Sequence, residues 1–149
     1  MKAKKAPWIL AIEDSDSDLY LLQRVLNESP GPKEVVRARD GEQAISLIHE
    51  VAESGSETLP DLIVIDLNMP RVDGFEVLEE LMAQRVFRTV PVVVVTSSQQ
   101  EADRQLAMAS GADGYFIKPL EVLRYKELLK IMDQARSVRS HKIAASFCS

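Results

Sequence analysis

Residues 62–70 read Leu62-Ile63-Val64-Ile65-Asp66-Leu67-Asn68-Met69-Pro70. Four aliphatic residues stand in a row and end on an acid. A short, unbroken apolar run of this kind predicts a strand covered on both faces, as central strands of parallel sheets are. Four further runs have the same character: Trp8–Ile12, Val35–Ala38, Pro91–Val95 and Tyr115–Ile117. The second is short and has polar flanks, which places it near a sheet edge.

Segments with helical spacing separate the runs. Leu19, Leu22, Val25 and Leu26 form one apolar stripe, and Ala44, Ile45, Leu47, Ile48 and Ala52 a second. Phe75, Val77, Leu78, Leu81 and Met82 form a third; Ala102, Leu106, Ala107 and Ala109 form a weaker fourth. Val122, Leu123, Tyr125, Leu128, Leu129 and Met132 form a fifth. Recurrence at three and four residues marks one buried face of a helix. Cap chemistry agrees with the division. Ser15 precedes Asp18 by three residues, and the same spacing relates Asp40 to Gln43, Asp73 to Glu76 and Ser98 to Glu101. Each pair offers an N-cap acceptor and an acceptor at N3. Gly111 fits a left-handed C-cap, and Pro30-Gly31-Pro32 a firm stop.

Strand and helix therefore alternate five times. That order predicts an α/β fold, a doubly wound five-stranded parallel sheet with helices on both faces and right-handed crossovers. By analogy with folds of this class the strand order is 2-1-3-4-5, the flavodoxin-like arrangement. The polar stretch from Glu53 to Pro60 reads as the longest connection.

Composition agrees with one globular domain: 149 residues, 46% hydrophobic and 28% charged, with a net charge of -5. The acidic balance gives no general attraction to nucleic acid or anionic membrane. Cys148 is the only cysteine, so no disulfide can form within the chain and a reducing, cytoplasmic setting is expected. The run Trp8–Ile12 is too short for a signal-peptide core or a membrane span. The domain is expected to occupy 7–138, between a flexible start at 1–6 and a mobile tail at 139–149.

In a parallel sheet, the carboxyl ends of the strands share one edge, where open α/β sheets bind their ligands. Glu13 and Asp14 follow the first run, Asp66 follows the third, Thr96 follows the fourth and Lys118 the fifth. Taken singly, Glu13 and Asp14 read as helix-flanking acids, Thr96 as a strand-end hydroxyl and Lys118 as a surface lysine, while Asp66, at the end of so apolar a strand, is harder to read as structural. Together they form a constellation. Three carboxylates repel one another unless compensated. A hard cation such as Mg²⁺ suits their oxygens. His49 and His141 lie elsewhere, so no zinc set is present. A carboxylate can also serve as nucleophile toward a phosphoryl group.

These residues resemble the CheY-like response-regulator receiver domain of two-component signalling. The resemblance rests on Ile12-Glu13-Asp14, residues 64–70, Asp73-Gly74, residues 93–97 and Gly111-Ala112-Asp113-Gly114-Tyr115-Phe116-Ile117-Lys118-Pro119. It implies that Asp66 is the phosphoacceptor. It also implies Mg²⁺ held by Asp14, Asp66 and the Asn68 backbone carbonyl, with Glu13 acting through water. Thr96 and Lys118 would contact the phosphoryl group, and Thr96 and Tyr115 would form the switch. Asn68 would also influence attacking water. The implied donor is a sensor histidine kinase or a histidine phosphotransfer protein. The implied output face comprises the fourth helix, fifth strand and fifth helix.

The chain ends soon after the fifth helix. It is therefore expected to signal through noncovalent contacts or a homodimer, with neither direct DNA binding nor a membrane role, and not to be an enzyme in the usual sense. The polar insert and the stretch Thr96–Gln100 resemble stand-alone receivers of the bacterial phytochrome-associated type. The competing readings are a phosphate-independent scaffold and a hydrolytic phosphatase. The second lacks an acid two positions after Asp66.

Overall fold

The computed structural model describes residues 8–30, 34–55, 58–69, 72–121 and 123–135. The strands are β1 (Trp8–Ile12), β2 (Glu34–Ala38), β3 (Leu62–Ile65), β4 (Val92–Thr96) and β5 (Gly114–Ile117). The helices are α1 (Asp16–Glu28), α2 (Gly41–Ser54), α3 (Gly74–Ala83), α4 (Glu101–Ala109) and α5 (123–135). All pairings are parallel and the order is β2-β1-β3-β4-β5. Fold class and strand order are as the sequence predicts, and β2 lies at an edge.

Alternation along the strands divides the core. Leu10, Ile12, Ile63, Ile65, Val92 and Val94 pack with Ala44 and Ile48 of α2, Val77, Leu78 and Leu81 of α3, and Ala107 of α4. Ile9, Ala11, Leu62, Val64, Val93 and Val95 pack with Leu22, Val25 and Leu26 of α1 and Tyr125, Leu128, Leu129 and Met132 of α5. Both faces of the inner strands are thus covered, which is why their sequence is continuously aliphatic rather than alternating. Each fully buried Leu, Ile or Val contributes roughly 1.5–3 kcal/mol.

Three of the four predicted caps form. The Ser15 side chain accepts from Asp18 N, Asp40 from Gln43 N, and Asp73 from Glu76 N. The fourth does not. Helix α4 begins at Glu101 behind Gln100, whose side chain makes no cap bond. Ser98 lies too far upstream; its hydroxyl instead accepts from Gln100 N and donates to Asp103. Of the predicted α4 stripe only Ala107 is buried, while Leu106 is 51% exposed. The α2–β3 connection is shorter than predicted, because Glu53 and Ser54 complete α2 and Gly55, at φ +94°, ends it. Gly111 has φ +111°, the left-handed conformation expected after α4. Residues 1–7, Gly31, Pro32, Pro70, Val122 and 136–149 lie outside the described residues, and with them the predicted flexible start and mobile tail.

Register positions the site. Ile12 pairs with Ile65 across β1 and β3, so Glu13 and Asp66 both leave the sheet one residue later. Thr96 pairs with Ile117, which places Lys118 one residue beyond it. Asp66 N donates to Ile12 O at 3.0 Å, Glu13 N to Ala38 O at 3.0 Å, and Lys118 N to Thr96 O at 2.8 Å. The ladder therefore continues into the residues that carry the chemistry and holds their backbones rigid.

Candidate functional site at the carboxyl edge of the sheet

Glu13, Asp14 and Asp66 meet at this edge. One carboxylate oxygen from each lies within 4.8 Å of the other two. Glu13 and Asp66 are buried and Asp14 is exposed. The Lys118 ammonium lies 2.8 Å from Glu13 Oε2, 3.0 Å from Asp66 Oδ2 and 2.8 Å from Asp18 Oδ2. Its peptide bond to Pro119 is cis.

Charge governs the pocket. Burial pushes the Glu13 carboxyl up to about 7, against the opposing pull of Lys118 and the Ser15 N–H. Burial also works against the charged form of Lys118. The carboxylates of Asp18, Glu13 and Asp66, which accept from the ammonium, outweigh it and hold Lys118 above the usual lysine range. One cation thus faces four acids, counting Asp14. The donor set consists of hard carboxylate oxygens, two of them desolvated, and it fits a hard divalent cation approaching from the exposed Asp14 side.

The other half of the pocket is neutral. Asn68 N donates to Asp66 Oδ1 at 3.0 Å and fixes that carboxylate's orientation. The Asn68 side-chain amide donates to Thr96 Oγ1 at 3.1 Å and to Ser97 Oγ at 3.2 Å. Thr96 is fully buried, and its hydroxyl oxygen also accepts from Ser98 N at 3.3 Å. The Tyr115 hydroxyl donates to Ser98 O at 3.2 Å, while its ring packs against the α2–α3–α4 side of the core.

Two glycines shape the loop after Asp66. A Cβ on Gly74 would stand 2.6 Å from Asp66 O and from Leu67 Cα. A Cβ on Gly41 would stand 2.3 Å from Val72 O. Both meet backbone, so no side-chain adjustment would relieve either contact. The Asp73-Gly74 and Asp40-Gly41 pairs therefore serve close approach as well as helix starts.

Of the predicted site residues, Glu13, Asp14, Asp66, Asn68, Thr96 and Lys118 gather at this edge, whereas Tyr115 lies inside β5, paired with Val94, and reaches the loop after Thr96 only through its hydroxyl. Sequence reasoning missed two. Asp18, read as a cap partner, also holds Lys118; the available signal was its place in the first turn of α1, just after the acidic pair at 13–14. Arg37 donates through Nε to Glu13 O at 2.8 Å and pairs with Asp16 through Nη1, tying edge strand β2 to the acidic loop. No spacing in the sequence announces that contact. His49 stays apart from the cluster, paired to Glu80 between α2 and α3, and His141 lies outside the described residues.

Comparison with known proteins agrees with this geometry. Residues 9–131 match the model of the response regulator receiver domain. The probable methanogenesis regulatory protein FilR2 of Methanothrix harundinacea is 30% identical over 128 residues, 86% of this chain and 80% of its own length. Response regulator Rcp1 of Synechocystis sp. is 40% identical over 95 residues, 64% of this chain and 65% of its own length. The crystal structure of Mn²⁺-bound Rcp1 superposes with a TM-score of 0.69 at 31% identity, covering 91% of this chain and 93% of that one. The phosphorylated cyanobacterial phytochrome response regulator RcpA superposes with a TM-score of 0.69 at 30% identity, covering 89% and 90%. Among the described residues, no helix is long and apolar enough to cross a membrane. With its sheet order, its acidic edge and its match over residues 9–131, this chain belongs to the CheY-like response regulator receiver domain family, whose members are signalling phosphoproteins rather than enzymes of the usual kind.

Proposed function

We propose that this protein accepts a phosphoryl group on Asp66 from a histidine kinase or a histidine phosphotransfer protein. In the transfer, an Asp66 carboxylate oxygen forms the new O–P bond. The donor's P–N bond breaks, and its electron pair stays on the imidazole nitrogen. The observation that carries the reading is the placement of Asp66: buried, oriented by Asn68 N at 3.0 Å, and 3.0 Å from the Lys118 ammonium.

Asp14 and Asp66 would hold Mg²⁺ through their side chains, Asn68 through its backbone carbonyl, and Glu13 through water. Bound there, Mg²⁺ supplies positive charge to the phosphoryl oxygens. Lys118 offers a second positive charge and the Thr96 hydroxyl a donor for the oxygen that becomes anionic. A phosphoryl group adds about −1.5 to −2 charge. A hydrogen bond from Thr96 to it would compete with the present Asn68–Thr96–Ser98 arrangement and so bias Tyr115.

The output would leave through the face of α4, β5 and α5, where Leu106, Ile117 and Leu123 are exposed. A protein partner or a second copy of the chain is its proposed occupant, in the cytoplasm, with neither DNA nor membrane as a direct target. The solved relative described as a phytochrome response regulator supports a kinase of that class as donor. The test is intact-mass measurement after incubation with acetyl phosphate and Mg²⁺. One phosphoryl adduct is expected, absent in Asp66→Asn. An adduct that persists in that variant rejects the assignment.

A further inference from the structure

One of the acids that hold Lys118 stands outside the cation cluster. An ammonium has three donors. Here they are matched by three carboxylates, Glu13, Asp66 and Asp18, at 2.8, 3.0 and 2.8 Å. Glu13 and Asp66 belong to the trio that converges within 4.8 Å, but Asp18 does not. Asp18 stands in the first turn of α1. Its backbone N–H is fixed by Ser15 Oγ at 3.3 Å. Its side chain is 27% exposed and that of Lys118 14%.

A distinction follows among the three partners. Any reaction that engages Asp66, and any cation that engages Glu13, weakens two of the three tethers. The Asp18 tether is untouched by both. Without it, a four-carbon stem would carry an ammonium free to rotate at the moment its position matters.

We propose that Asp18 is a positioning residue that keeps the Lys118 ammonium over Asp66 while Glu13 and Asp66 are engaged elsewhere. The proposal rests on the function proposed above. The requirement is for an oxygen at this point rather than for charge: the Asp18 Oδ2 sits 2.8 Å from the ammonium, within reach of its third donor. Asp18→Asn retains such an oxygen and Asp18→Ala does not.

Two readouts separate this role from a merely structural one. The first is the rate of adduct formation with acetyl phosphate and Mg²⁺. Misplacing the ammonium should slow Asp18→Ala about tenfold, with Asp18→Asn within about twofold of the parent. The second uses the cation-free protein and needs no phosphoryl transfer. The ¹⁵N-detected ammonium signal of Lys118, identified by its loss in Lys118→Gln, should vanish in Asp18→Ala through fast exchange and persist in Asp18→Asn. Parent-like transfer in Asp18→Ala overturns the proposal, as does a kept ammonium signal. An Asp18→Asn variant as slow as Asp18→Ala overturns it too, by showing that charge matters instead of placement. Failure of the parent to take up phosphoryl would sink the function proposed for Asp66, while the ammonium signal would still decide the tether.

Discussion

The Tyr115 hydroxyl donates to the backbone carbonyl oxygen of Ser98 at 3.2 Å, tying β5 to the loop that follows Thr96. Ser98 N in turn donates to Thr96 Oγ1, which also accepts from Asn68, next but one to Asp66. A continuous chain of hydrogen bonds therefore runs from the acidic pocket to the partly buried ring of Tyr115. Tyr115→Phe keeps the ring and removes the last link. Stability should fall by about 0.5–1.5 kcal/mol. Amide exchange should quicken across residues 97–100, while the rate of adduct formation at Asp66 stays within about twofold, since the hydroxyl is remote from phosphorus. Unchanged exchange in that loop would show that the link restrains nothing.

Lys118→Ala leaves Glu13, Asp18 and Asp66 without their shared ammonium. Removing one partner from a largely buried ion group costs about 1–3 kcal/mol here, less than for a fully enclosed pair. The melting temperature without divalent cation should drop accordingly. Added Mg²⁺ should raise it by more than in the parent, because the uncompensated acids bind the cation in place of the lost charge.

Asp66→Asn tests the same balance from the other side. It removes one of the three converging carboxylates while keeping an oxygen to accept from Asn68 N. Stability without cation should be equal to or above that of the parent, and the Mg²⁺-induced rise in melting temperature should shrink. A larger rise in the variant would mean that the cation binds elsewhere.

Gly74→Ala places a methyl group 2.6 Å from the Asp66 carbonyl oxygen and the Leu67 Cα. Alanine gains about 1 kcal/mol of helix propensity over glycine. Overpacking against fixed backbone costs about 1–3 kcal/mol and displaces the residue whose position sets the chemistry. Chemical denaturation should show net destabilisation, and adduct formation at Asp66 should slow.

Tyr125 gives a signature at alkaline pH. Burial, with the nearby Asp18 charge, pushes its phenol up to about 12. The folded state thus favours the neutral phenol more than the unfolded state does. That contribution is complete below pH 10 and is lost as pH rises from 10 towards 12. Absorbance at 295 nm should show a late-ionising phenol that is absent in Tyr125→Phe.

The strands and most of the site could be read from the chain because their causes are local. An aliphatic run such as Leu62–Ile65 can satisfy both faces only inside a covered sheet. Alternation with amphipathic helices then leaves few topologies. Asp66, Thr96 and Lys118 follow because strand ends in a parallel sheet share an edge, whatever fills the loops. The misjudged α4 start has an equally physical origin. Ser98 has the chemistry of a cap, but its backbone is committed to Thr96 and Tyr115, and the helix waits until Glu101.

By itself, then, the sequence determined the alternating order, the caps at Ser15, Asp40 and Asp73, and the set of groups gathered at one edge. Periodicity and cap spacing are properties of neighbours in the chain. Tertiary structure alone decided that Lys118 divides its three donors among Glu13, Asp66 and Asp18, and that Arg37 reaches across from β2 to the Glu13 carbonyl. Those contacts join residues from separate elements. Their partners are set by sheet register and by the meeting of the first turn of α1 with the residue after β5, which no local pattern encodes.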